Sequence, residues 1–97
     1  MKKLPAPIEF NWDQDNINKN RKKHKVHFKE AEEIFFDKRI KTFEDIKHSK
    51  TEVRFIALGQ TNKKRKLCLS FTIRNKKIRV ISARDQSRRE RKLYEKK

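Results

Sequence analysis

Apolar residues recur along this chain with two different periods, and each period predicts a different kind of element. In the first third, one group is spaced by three and four residues, which places it on one face of a helix. The group consists of Phe28, Ala31, Ile34 and Phe35. Asp13 is a suitable N-cap for an earlier helix over residues 13–23. Residues 8–12 precede it as a short strand or an apolar anchor.

From residue 40 onward the period changes to two, which predicts β-strands. The alternating segments are residues 40–46, 53–60, 66–74 and 77–84. Their connections are short, so we expect an antiparallel meander, with Asn75-Lys76 as a two-residue hairpin. Ser87 and Glu90 have the capping-box spacing and predict a C-terminal helix that runs towards Tyr94. The fold class is therefore α+β, with two N-terminal helices, an antiparallel three- to four-stranded sheet and a C-terminal helix.

The length of 97 residues predicts one domain, over residues 10–97, after a flexible leader at residues 1–9. We find neither a run of about 20 apolar residues for a membrane span nor the apolar core of a signal peptide. Cys68 is the only cysteine, which excludes an internal disulfide and fits a reducing compartment. We therefore expect a cytoplasmic protein without a membrane partner, in which Cys68 is a packed thiol rather than a nucleophile.

The charge balance indicates the kind of partner. Lysine and arginine number 29 against 13 aspartates and glutamates, for a formal net charge of +16. Nucleic acid is the commonest partner for such a charge, because binding releases condensed counterions from phosphates. A solvated lysine-rich surface or an acidic protein partner are the alternatives.

The turns also suggest how the strands align. If Gln60 faces Lys66 and Arg74 faces Lys77, side chains that alternate along the strands are sorted onto two faces. One face is apolar and should pack on the helices, and we call the opposite one the outer face. At one end of the outer face lie Glu52, Arg54, Thr72, Arg74, Lys77 and Arg79. The other end is apolar and needs a cover, such as the C-terminal helix or a partner. The same alignment pairs Cys68 with Ala83 and turns Arg84 to the opposite face.

This cluster of charges predicts an anion site. Arg54 and Arg79 flank Thr72, and a phosphate between them would relieve their repulsion. The alternative is a solvated polar face in which Glu52 pairs with an arginine. RNA carries its own nucleophile in the 2′-OH, so arginines could stabilise the charge without a metal while His48 or Glu52 moves protons.

No cofactor or metal is expected. His24 and His27 have no cysteine pair beside them, so a zinc site is not indicated. Gly59 is the only glycine, which excludes a Gly-rich phosphate loop.

Several motifs, taken in order, resemble the BrnT family from Phe10 to Glu95. They are Phe10-Asn-Trp-Asp13, Asn20, Lys23-His24, Val26-His-Phe-Lys-Glu-Ala31, His48-Ser49, Glu52, Arg54-Phe55, Phe71-Thr-Ile-Arg74, Arg79-Val-Ile-Ser-Ala-Arg84 and Arg88-Arg-Glu-Arg91 with Tyr94. The chain departs from the family at Lys25, where a glycine is usual, so the first helix is expected to lack its left-handed cap. His27 stands in place of a capping serine, and the loop at residues 61–65 lacks its usual glycine.

The resemblance implies a RelE-like fold and a type II toxin that cleaves RNA and stops translation. It also implies a ribbon-helix-helix antitoxin of the BrnA type, through which the complex binds operator DNA. The expected catalytic residues are Arg54, Arg74, Arg79, His48 and Glu52. The expected RNA contacts are Lys77, Arg84, Arg88, Arg89, Thr72 and Tyr94. For Arg84 the alternative is a structural role. For Tyr94 the alternatives are a hydrogen-bonded pair with Glu90 or a place at the border of the site. A non-catalytic module that binds nucleic acid or antitoxin is the competing hypothesis.

Overall fold

The computed structural model describes Leu4 and residues 7–96, so part of the predicted leader lies outside the described residues. Two helices come first, and a third comes last. A four-stranded antiparallel sheet lies between the second and third helices in the chain, and strands that follow one another in sequence are neighbours in the sheet. The elements are α1 (Gln14–His24), α2 (Phe28–Ile34), β1 (Lys41–Glu44), a 3₁₀ turn (Ile46–His48), β2 (Phe55–Gln60), β3 (Lys66–Arg74), β4 (Lys77–Asp85) and α3 (Arg88–Glu95). The predicted α+β class is confirmed.

The predicted helix caps are present. The side chain of Asp13 accepts from the amide of Asn16, and Ser87 forms a capping box with Glu90. His27 replaces the usual serine without loss, because its ring accepts from the amide of Lys29 while Glu30 accepts from the amide of His27. The expectation for the end of α1 was wrong. Lys25 itself takes the left-handed conformation, with φ of 55°, and its amide bonds back to the helix.

The core lies between α2 and one face of the sheet, which we call the inner face. Its largest fully buried side chains include Phe71, Ile34, Leu67 and Leu69. Gly59 lies beneath α2, where the close approach requires glycine because a Cβ would stand 2.5 Å from Cγ2 of Ile34. The segment before α1 anchors the outer edge of β4, where the amide of Ile78 donates to Glu9 and Phe10 forms a parallel bridge to Ile78.

The predicted strand alignment is correct at both turns. Gln60 faces Lys66, and Arg74 faces Lys77 across a turn in which Asn75 and Lys76 both have positive φ. The two positive values match a twisted two-residue hairpin.

Further along β4 the predicted alignment was wrong by one residue. Ile81 is an extra residue opposite the step between Ser70 and Phe71, and we call this irregularity the β4 bulge. It leaves Phe71 opposite Val80 but moves Ser70 opposite Ser82. Cys68 therefore faces Arg84 instead of Ala83, and Arg84 lies on the outer face.

The apolar end of the outer face is covered as expected. Tyr94 of α3 packs on Leu58 and Cys68, with Ile56 at the margin. Within the described residues, no helix is long and apolar enough to cross a membrane.

Candidate functional site

Three arginines from separate strand segments meet in a hollow on the outer face, as the predicted alignment required. Its volume is about 400 Å³. We call it the arginine hollow, and its lining consists of Asp13, Asp15, Asn16, Lys19, Glu52, Arg54, Arg74, Arg79 and Ile81. Arg54 precedes β2, Arg74 ends β3 and Arg79 lies near the start of β4. The sheet thus holds three positive side chains around one space that an anion can enter.

Two of these guanidinium groups are paired with carboxylates. Arg74 donates from Nη2 to Oε1 of Glu52 at 2.7 Å and from Nε to Oε2 at 3.0 Å. Arg79 pairs with Asp13 and also donates from Nη1 to Oδ1 of Asn11 at 3.4 Å. Among the described residues, the side chain of Arg54 makes no hydrogen bond or ion pair. Of the three guanidinium groups in this hollow, that of Arg54 is therefore the most available to a ligand.

The neighbouring arginines lower the pKa values of Glu52 and Asp13. The hydrogen bond from Arg74 lowers the pKa of Glu52, and the charges of Arg74, Arg54 and Arg79 lower it further. The hydrogen bond from Arg79 likewise lowers the pKa of Asp13, with help from the amide of Asn16. Glu52 is therefore an ionised partner of Arg74 at neutral pH and a weak proton acceptor.

The loop before β2 ties the backbone of Arg54 to the turn that carries His48. The hydroxyl of Ser49 accepts from the amide of Arg54 at 2.9 Å and donates to the carbonyl of Asp45 at 2.6 Å. The amide of Asp45 in turn donates to the carbonyl of Arg54 at 2.7 Å. This closed loop explains why the His48-Ser49 pair and Arg54 occur at their particular spacing.

Asp45 also orients the imidazole. Its Oδ2 lies 2.9 Å from Nδ1 of His48, so Nε2 is the ring nitrogen left for another partner. Asp45 is not among the site residues that the sequence predicted. The signal was the three-residue spacing from Asp45 to His48, which places both side chains on one side of a single turn.

A second hollow of about 380 Å³ continues from the first across the sheet. We call it the serine hollow, and its lining consists of Lys19, Asp45, His48, Arg54, Ile56, Cys68, Leu69, Ser70, Ile81, Ser82 and Arg84. Lys19, Arg54 and Ile81 line both hollows. Arg54 therefore stands where the two spaces join, and His48 lies with it in the lining of the serine hollow.

The other predicted RNA contacts fall into different places. Thr72 is buried, and its hydroxyl donates to the carbonyl of Val53 at 2.7 Å, which supports the segment that carries Arg54. Lys77, Arg88 and Arg89 are exposed but line neither hollow. Arg84 does line the serine hollow, and Glu90 holds its guanidinium with bonds of 2.7 and 2.9 Å.

Tyr94 has a packing role in this structure. Its side chain is 3% exposed, and its hydroxyl donates to Oδ2 of Asp37 at 2.5 Å rather than to Glu90. Burial and this bond raise the pKa of Tyr94 to about 12. The expected border with the site is therefore not formed, and no ring face of Tyr94 is free for a base.

Metal ligands do not gather in the described part of the chain, where no group of three or more His, Cys, Asp or Glu side chains could hold an ion. The fold and the two hollows define a small, strongly basic α+β protein with three arginines gathered on one sheet face. The family model described as "Ribonuclease toxin, BrnT, of type II toxin-antitoxin system" matches residues 12–90. The chain therefore belongs to the BrnT family of ribonuclease toxins, whose type II systems pair a toxin with an antitoxin. A search of curated proteins found no match.

Proposed function

We propose that this protein is a metal-independent endoribonuclease whose active site lies where the arginine and serine hollows join. The observation that carries the proposal is the position of Arg54. It lines both hollows, its side chain has no partner within the described residues, and the Ser49 loop ties its backbone to the Asp45–His48 pair.

The residues can perform each step of an internal transfer. The 2′-oxygen of a ribose attacks the adjacent phosphorus while Nε2 of His48 accepts its proton. The bond from phosphorus to the 5′-oxygen breaks, and that oxygen takes a proton from water, which regains one from the protonated His48. The products are a 2′,3′-cyclic phosphate and a 5′-hydroxyl end. Arg54 and Arg79 stabilise the charge that builds on the phosphoryl oxygens.

We assign Glu52 to hold Arg74 rather than to move protons. Both carboxylate oxygens of Glu52 accept hydrogen bonds from Arg74, and the resulting low pKa weakens it as a base. His48 has Asp45 as an orienting acceptor on its other nitrogen, which is the usual arrangement for an imidazole that transfers protons.

Cleavage by the purified protein in EDTA tests the reaction. We expect cleavage to continue, with cyclic phosphate ends on the products. Cleavage that stops in EDTA and returns with added Mg²⁺ would overturn metal independence.

Substitution tests the assignment of the site. Arg54→Ala and Arg79→Ala should each reduce cleavage about 100-fold, the usual cost of losing one donor to a developing oxyanion. Arg39→Ala is the matched control, since Arg39 is exposed in the turn before β1 and lines neither hollow. Circular dichroism checks that each variant folds. Unchanged cleavage in both test variants would remove the site assignment.

One observation favours a second candidate, a module that binds nucleic acid without cleaving it. Two of the three guanidinium groups are already paired with carboxylates, which suits weak, salt-dependent binding more than catalysis. Purified protein that binds RNA but leaves it intact, and that is harmless when expressed without its antitoxin, would support this candidate.

The remaining elements of the proposal follow from the family. We propose that the antitoxin is a ribbon-helix-helix protein of the BrnA type, that the complex binds its operator DNA through it, and that the free toxin stops translation in the cytoplasm. Copurification with the product of a neighbouring gene and operator binding by the complex, but not by the toxin alone, would test this.

A further inference from the structure

We propose that the serine hollow is a base-binding subsite, which selects the base of a nucleotide next to the cleaved phosphate. The inference rests on the proposed function and extends it to sequence preference. The serine hollow adjoins the arginine hollow, and its volume of about 380 Å³ falls in the range of about 300–1,000 Å³ of ligand pockets.

Two hydroxyls stand side by side on its floor. Ser70 of β3 lies directly opposite Ser82 of β4, so both side chains point to the same face with their Cβ atoms about 5 Å apart. Neither hydroxyl has a hydrogen-bond partner among the described residues. Each can donate or accept, so together they can read two neighbouring positions on the edge of a base.

Aliphatic side chains flank the hydroxyls. Ile56 lies opposite Ser70 on the other side, and Ile81 lines both hollows. A base has apolar faces and a polar edge, and unpaired RNA bases are commonly recognised by contact with their faces and hydrogen bonds to their edges. Apolar sides with hydroxyls on the floor match that chemistry.

The β4 bulge is what creates this floor. Without it, Ile81 would stand opposite Ser70, and the hollow would offer one hydroxyl. The bulge is supported from α1, where Asn16 donates to the carbonyl of Val80 and Oδ1 of Asn20 accepts from the amide of Ala83 at 3.2 Å. Bulges commonly re-aim a side chain beside a functional site.

The charges also favour a base over a second phosphate. Arg84 is the cation at the far end of the hollow, and both oxygens of Glu90 accept hydrogen bonds from it. This pairing lowers the pKa of Glu90 to about 2, so the carboxylate stays ionised and offsets the charge of Arg84. The lining also holds Lys19 and Asp45, whose opposite charges offset each other, so the hollow beyond Arg54 is polar but nearly neutral, which disfavours a phosphate there.

Binding of uncleavable dinucleotides tests the subsite. Dinucleotides with 2′-O-methyl riboses, carrying each of the four bases in turn at either position, are titrated into ¹⁵N-labelled protein and followed by NMR. A matching ligand that lacks one base serves as the control for phosphate binding. We expect the native protein to bind the dinucleotide with one particular base at one position about tenfold more tightly than the ligand that lacks that base. A tenfold ratio of affinities corresponds to about two net hydrogen bonds.

The test variant is the double substitution Ser70→Ala with Ser82→Ala. It should lose the preference while binding the ligand without that base as the native protein does. If the double variant does not fold, Ser70→Ala and Ser82→Ala alone should each lose about threefold. Thr42→Ala is the matched control, because Thr42 pairs with Ala57 on the inner face. It should keep the preference.

Two results would overturn the subsite. One is native protein that binds all four bases no better than the ligand without a base, and the other is a preference that survives in the double variant. Failure of the proposed function is separate, since it would appear as intact RNA after incubation with native protein whatever the dinucleotides show.

Discussion

The carboxylate of Glu52 and the guanidinium of Arg74 form a bidentate pair, joined by bonds of 2.7 and 3.0 Å. The pair lies in the arginine hollow, where Arg54 and Arg79 also lower the pKa of Glu52. A phosphate that enters the hollow meets this negative charge. The pair therefore both positions Arg74 and opposes the ligand that Arg74 would bind.

Removing that charge should strengthen binding of RNA. Glu52→Gln keeps the shape of the side chain, and we expect about threefold tighter binding of an uncleavable RNA, measured by fluorescence anisotropy, because one repulsive charge is lost. Glu44→Gln is the control, since Glu44 is an exposed acid at the end of β1. Weaker binding would contradict our view of Glu52. Cleavage lost while binding is kept would instead make Glu52 the group that moves the proton.

The Ser49 hydroxyl should matter for catalysis more than for binding. Ser49→Ala removes the bonds to Arg54 and Asp45 that close the loop, so His48 loses its fixed position relative to Arg54. We expect kcat to fall at least tenfold, about 1.4 kcal/mol, with little change in affinity for uncleavable RNA.

Two substitutions in the same loop complete this test. Ser49→Thr keeps the hydroxyl and should restore most of the activity. Thr51→Ala removes an exposed hydroxyl nearby and should have no effect. An equal loss of activity in Ser49→Ala and Thr51→Ala would show that the loop, rather than the Ser49 bonds, is sensitive.

Much of this site could be predicted because it depends on local pattern. Alternation and turn residues identified the strands, and two tight turns aligned them well enough to bring together Arg54, Arg74 and Arg79. Once the turns fix which residues lie opposite one another, the alternation of side chains assigns each residue of neighbouring strands to one face of the sheet. The position of the three arginines therefore followed from short-range information.

The face on which Arg84 lies was predicted wrongly, because it depends on long-range contacts. The β4 bulge lies in a segment whose alternation continues without an obvious break. The backbone around the bulge forms hydrogen bonds with the side chains of Asn16 and Asn20, which lie in α1 at the other end of the chain. No local property of β4 reports those partners, so the alignment beyond the bulge could not be predicted from the strand pattern.

Cys68 should be chemically inert in the folded protein. Burial raises the pKa of the thiol to about 12, so it is neutral at pH 8 and reacts far more slowly than an ordinary cysteine. We expect a thiol reagent to label native protein roughly 1,000-fold more slowly than denatured protein, and Cys68→Ala to retain RNA cleavage. Rapid labelling of native protein, or loss of cleavage in a folded Cys68→Ala variant, would contradict this.

Lys25 should carry a measurable conformational cost. A side chain in the left-handed region, here at φ of 55°, is disfavoured by about 1 kcal/mol relative to glycine. Lys25→Gly should therefore raise the free energy of unfolding by about that amount, measured by urea denaturation. Lys22→Gly provides the opposite control, because Lys22 lies inside α1 and the change there should cost about 1 kcal/mol. Destabilisation by both substitutions would show that Lys25 makes a compensating contact.

The Arg84–Glu90 pair should make stability depend on pH in the acidic range. Its hydrogen bonds lower the pKa of Glu90 from 4.5 to about 2, so the folded protein binds this proton less readily than the unfolded chain. The contribution is therefore fully present above about pH 5 and is lost as the pH falls from 4.5 towards 2.

Glu90→Gln isolates this charge, because glutamine can still accept the capping-box bond from Ser87. The free energy of unfolding of the native protein should exceed that of the variant by about 1–2 kcal/mol at pH 7, after allowance for solvent screening, and the difference should shrink as the pH approaches 2. Urea denaturation between pH 2 and pH 7 measures it. Glu95→Gln breaks the more exposed pair with Lys66 and should show a smaller difference. A difference for Glu90→Gln that does not vary with pH would mean that packing, and not charge, links α3 to β4.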